Sequence, residues 1–151
     1  MKSRLRVASI CVGLACLVSA GSAFAFGGMG GMGGGSKTPE LPANEPVKVE
    51  KAKGANAHTV GELYEKSGSL DKKAVVVRGK VVKVSKGIMG KNWIHLKDGS
   101  GEGETAKIIA TTQDLAEVGD VVTAKGTLYK DKDFGAGYFY KAIIEEAKIT
   151  K

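Results

Sequence analysis

The sequence predicts an all-β domain with short helices: a five-stranded barrel with one helix before its first strand and a short helix between the third and fourth. Three observations lead there. Runs of β-branched residues recur between glycine-containing turns. Two of these runs carry a glycine near the middle, where a strand can bulge or kink and so curl round a small barrel. In another run, Ile94 and Leu96 alternate with Trp93, His95 and Lys97, the period-2 pattern of a strand with one face in a core.

Structure begins near His58. Thr59 with Glu62 three residues later forms a capping-box signature that opens a helix over 60–66, ended by Ser67-Gly68. So short a helix must dock on a larger body. The first strand covers 74–85; Val75, Val77 and Val81 share one parity, Val82 and Val84 the other, and Gly79 is assigned the slip. A loop over 86–92 leads into the strand 93–97, and Asp98-Gly99-Ser100-Gly101 turns the chain. A third strand covers 105–111, and 112–118 fits one helical turn stopped by Gly119. Strands over 121–129, with Gly126 inside, and 138–149 complete the set, joined by a loop over 130–137. A Greek-key barrel of the OB-fold type buries five such strands economically.

Lys2, Arg4 and Arg6 precede an apolar run over 7–20, and Ala23-Phe24-Ala25 supplies a small-x-small cleavage pattern. Residues 1–25 therefore read as a secretory signal peptide that sends the chain to the periplasm or beyond. The run is shorter than the ~20 apolar residues of a span, so no membrane span is expected after cleavage. Both cysteines, Cys11 and Cys16, fall in this leader, which leaves the mature chain no thiol for a disulfide, a metal or a nucleophile. Cleavage also removes three cations and no anion, taking the formal charge from +7 to +4, too mild to demand a polyanion. Residues 26–57 read as a disordered linker, glycine-rich with Met29 and Met32 at first, then carrying Pro39, Pro42 and Pro46. The folded domain is expected over 58–151.

Barrels of this type hold ligands across strands two and three and under the loops joining strands one to two and four to five. Those elements supply Lys86, Met89, Lys91, Asn92, Trp93, His95 and Lys97, with Lys132, Phe134, Tyr138 and Tyr140 from the second loop. Aromatics among lysines suit a nucleotide or single strand, where each stacked base contributes ~1–3 kcal/mol. Asp131 and Asp133 dilute that field. Trp93 either offers a stacking surface or packs beneath a neighbouring loop, and the residues leave both open. Met89 and His95 pair a thioether with an imidazole, donors suited to Cu(I), to which Met29 or Met32 could add; an ordinary hydrogen-bonded histidine is the alternative. Catalysis finds no motif: there is no nucleophile elbow and no phosphate-cradling loop, so a non-enzymatic binding role is expected.

Two resemblances rest on particular residues. Val77-Arg78-Gly79-Lys80-Val81 and the stretch from Gly90 to Gly101 resemble the anticodon-binding OB-folds of class II aminoacyl-tRNA synthetases. There an aromatic at the position of Trp93 stacks on a base, which implies nucleic-acid binding. Val60 to Tyr64, Ile88 to Leu96 and Lys132 to Tyr138 resemble small exported bacterial OB-fold proteins, encoded beside Nrf-type cytochrome c nitrite reductase and other multihaem cytochromes. That resemblance implies a periplasmic accessory that contacts a respiratory protein partner or handles copper or haem.

Overall fold

Five strands close on themselves in the computed structural model, which describes residues 39–42 and 45–151. The leader expected over 1–25 and the arm with Met29 and Met32 lie outside the described residues. Helices α1 (Val60–Glu65) and α2 (Ser67–Leu70) precede β1 (Ala74–Ile88) and β2 (Lys91–Lys97). A 3-10 helix (Gly103–Ala106) leads to β3 (Ile108–Thr112), then β4 (Val121–Asp133) and β5 (Phe139–Thr150). The order round the barrel is β1-β2-β3-β5-β4, with β3 and β5 parallel and every other pair antiparallel. This is a five-stranded OB-fold barrel.

The interior is aliphatic. Val75, Val77, Val81, Ile94, Leu96, Ile108, Leu128 and Ile144 are all fully buried, as the strand alternation expects. The phase slip in β1 falls later than Gly79, because its register with β2 shifts between Val81 and Lys83. Gly79 serves a different need: a Cβ there would lie 3.0 Å from the Lys97 carbonyl oxygen. Gly126 does mark a bulge, opposite a register shift with β5, where a Cβ would come within 2.7 Å of the Glu145 oxygen.

The capping box forms, with the Glu62 amide donating to Thr59 Oγ1 at 3.2 Å and the Thr59 amide to Glu62 Oε2 at 2.9 Å. Val60 and Leu63 enter the barrel core with no exposed surface. The helix expected between β3 and β4 does not form. Thr112 Oγ1 accepts from the Asp114 amide and Asp120 Oδ2 from the Glu117 amide, while the Gly119 amide donates to Val81 O. These bonds hold the segment irregular and sink Ala116 into the core, in competition with a helical turn. Among the described residues, the helical turn found between strands is instead the 3-10 helix after β2.

The described part of the expected linker, 39–42 and 45–57, lies against the barrel. The β1 bulge leaves the Val82 carbonyl to accept from the Leu41 amide at 2.8 Å, and Glu40 pairs with Lys83. Glu45 pairs with Lys80, and Asn56 and His58 bond to Val76 across the side of β1 that β2 does not reach.

At the end of β2 the Asp98 carboxylate is buried at 4% exposure. Its Oδ2 accepts from the Val60 amide at 2.8 Å, its Oδ1 from the Ser100 amide at 2.8 Å and hydroxyl at 2.6 Å. Asp98→Ala would strand those donors, and loss of charged hydrogen bonds in a buried place costs about 3 kcal/mol. Urea denaturation should show that loss with an unchanged m-value; a change below about 1 kcal/mol would mean that the helix holds without Asp98.

Candidate functional site

The outer face of β2, β3 and β5 carries the predicted site, and it is divided in two. Trp93 and His95 both point outward, opposite Ile94 and Leu96. The register sets His95 beside Ile109 and Ile109 beside Ile143, so one row crosses three strands.

The Trp93 half is closed. Trp93 is 3% exposed, and its indole nitrogen donates to the Ile88 carbonyl at 2.9 Å. The β4–β5 hairpin covers the ring: Phe134 meets it edge-on at 5.2 Å between centroids, and Tyr140 and Tyr138 lie at 5.5 and 6.3 Å. With Ile109 and Ile143 below, this is a second small core outside the barrel. The stacking alternative for Trp93 is thereby replaced by the packing one, and Phe134 and Tyr140 serve as its cover.

The other predicted residues scatter. Lys86 is exposed on β1, and Met89, 56% exposed, is at the tip of the β1–β2 hairpin. Met89 and Gly90, with φ of 52° and 72°, make a two-residue turn, tighter than the loop expected over 86–92. Asn92 braces that turn, accepting from the Gly87 amide at 3.4 Å and donating to Asp114 O at 3.1 Å. Lys91 pairs with Glu146 at 3.1 Å, and Lys132 pairs with Glu145 at 3.4 Å over the Tyr129 and Phe134 rings. Lys97 lies by the chain segment that crosses β1 and β2. The Met89–His95 copper pair is not assembled: four strand residues at ~3.3 Å each put His95 ~13 Å beyond Lys91, with Trp93 between. Among the described residues no three His, Cys, Asp or Glu side chains gather to hold a metal.

The His95 half is open. A cleft of about 340 Å3 is lined by His95, Ile109, Tyr64, Phe139, Tyr140 and Lys107. Phe139 is 54% exposed at its edge, and Tyr64 is held in place by its hydroxyl, which donates to Lys107 O at 2.8 Å. Burial pushes the Tyr64 hydroxyl up to about 12, helped by Glu104. His95 Nδ1 is buried without a hydrogen-bond partner. Burial first, then the charges of Lys107 and Lys83, push the His95 imidazole down to about 4, against the weaker pull of Glu40. It is therefore neutral at pH 7.

Of the predicted residues the cleft takes His95 and Tyr140, and it adds Tyr64, Lys107, Ile109 and Phe139, which the sequence reading does not include. The run Tyr138-Phe139-Tyr140 held the available signal, since three consecutive aromatics cannot all turn to one side of a strand. No protein-family model matches the chain, and no curated protein proves similar to it.

Two measurements follow from this division. Trp93→Ala should cost about 3–5 kcal/mol of stability, as for other large core truncations, where an exposed ring would cost almost nothing. Second, an unfolded histidine titrates near 6.5, so between that value and about 4 the unfolded chain holds more protons than folded His95. Stability should be full above pH 6.5 and fall as pH drops toward 4. In His95→Gln that fall should shrink by on the order of 2 kcal/mol, leaving the parallel contribution of His58, also pushed down by burial. Equal pH profiles would mean that His95 is not shielded.

Proposed function

We propose that this chain is a non-enzymatic periplasmic binding protein that serves a multihaem cytochrome or nitrite reductase system by contact with a protein partner. The observation that carries the reading is the open cleft at His95, with Phe139 standing 54% exposed on its wall and its chain neighbour Tyr138 42% exposed. Exposed aromatics next to a concave apolar surface are what protein interfaces are anchored by. The respiratory setting comes from the resemblance of the Val60–Tyr64, Ile88–Leu96 and Lys132–Tyr138 segments to exported OB-fold proteins. No helix among the described residues is long and apolar enough to cross a membrane.

Copper handling gains little from the separation of Met89 and His95. Nucleic-acid binding loses two supports. The Trp93 ring has no free face for a base, and Lys91, Lys132 and Lys141 are each paired with a glutamate. Phosphate contacts would first have to break those pairs.

The test is retention of haem-bearing polypeptides from a periplasmic extract on the immobilised chain, compared with Phe139→Ser. Phe139 is exposed, so the substitution should leave stability within about 0.5 kcal/mol, and retention should fall at least tenfold, as for an interface anchor worth about 1.4 kcal/mol or more. Equal retention by both chains, or none by either, would refute the reading.

A further inference from the structure

The cleft has a chemical character beyond being apolar. Its walls are aromatic: Tyr64, Phe139 and Tyr140 surround Ile109, and Tyr64 is fixed by its bond to the Lys107 carbonyl. At about 340 Å3 it falls within the ~300–1,000 Å3 of small-ligand clefts, enough for one ring and its substituent. Two cations border it. Lys141 is joined to Glu104 at 2.7 Å, whereas the Lys107 ammonium has no hydrogen-bond or ion-pair partner among the described residues. Lys83 stands on the far side of His95, already joined to Glu40. Lys107, Lys141 and Lys83 outnumber Glu104 and Glu40 around the cleft, which disfavours a cationic ligand; Lys107 feels Glu40 only at a distance and is the ammonium best placed to meet an anion.

Other cavities fit a ligand less well. The space beneath Leu41, Pro42, Glu45 and Val47, at about 70 Å3, has room for little besides water. The hollow beside β3 has no aromatic wall and is crossed by the Lys91–Glu146 pair.

We infer that the cleft binds an aromatic group bearing a carboxylate, the ring against Ile109, Phe139 and Tyr140 and the carboxylate on Lys107. The inference rests on the reading of this face as a binding surface and names what that surface selects. The same chemistry is offered by a free aromatic acid and by the C-terminal phenylalanine of a polypeptide. In either, the ring gains edge-to-face contacts and the carboxylate a charged donor at the border of a low-dielectric wall.

The experiment is an amide-resolved NMR titration of the whole chain with 3-phenylpropionate, 3-phenylpropanamide and propionate. The aromatic acid should shift the signals of His95, Ile109, Phe139 and Lys141, and bind about threefold or more tightly than its amide. Propionate should leave those signals in place. Lys107→Gln, at an exposed position, should make acid and amide bind equally. Acid and amide equal in the wild-type chain, or no shift at the cleft, would overturn the inference. Gly-Ser-Phe with a free terminus separates the sources: tighter binding than 3-phenylpropionate assigns a chain end, weaker binding a free acid. A chain that binds the acid but retains no haem polypeptide keeps this assignment and removes the proposed partner. One that retains haem polypeptides and ignores the acid does the reverse.

Discussion

The buried carboxylate of Asp98 is the constraint on which the rest depends. It stands where β2 ends and accepts from the first amide of α1, from its own turn, and beside a carbonyl that takes the Val49 amide at 2.9 Å. A six-residue helix has no stability of its own. Fixing its first turn to β2 lets Val60 and Leu63 complete the barrel core. Gly61 shows how close the fit is, since a Cβ there would approach the Gly101 nitrogen to 3.1 Å. The turn 98–101 resembles half of a cation loop in composition, yet its carboxylate is fully occupied by backbone and hydroxyl donors.

With the barrel closed from one end, its outer face can be divided. The β4–β5 hairpin folds its aromatics over Trp93 and stops short of His95. Closure of one half makes the other usable: a rigid wall of packed rings bounds the cleft, so a ligand would meet a surface that is already ordered. The histidine beside it remains uncharged because burial and two lysines oppose its proton.

Much of the scaffold was legible. Strand parity named the core residues of β1 and β2, and Thr59 with Glu62 named the start of α1. Those signals are local, and local signals survive folding. The errors share a cause. Whether Trp93 is covered depends on Phe134 and Tyr140, some forty residues further along the chain, and nothing in the spacing of β2 reveals them. The segment 112–118 fits a helical turn in sequence, but the bond from the Ile149 amide to Asp114 and those of the adjoining Gly119 and Asp120 with Val81 win over propensity. The bulge lies after Val81 and not at Gly79: glycine often marks a bulge, but here it marks the close passage of Lys97. The cleft itself joins α1, the approach to β3 and the start of β5, which no single stretch of sequence contains.

The bonds from Asn56 and His58 to Val76 have a further consequence. They occupy a row of amides and carbonyls that a truncated chain starting at His58 would leave partly unmade. A β-edge bared in that way is a template for a strand of another molecule. The short stretch from Asn56 to His58 therefore does more than lead into α1: it covers part of an edge of β1 that β2 does not reach.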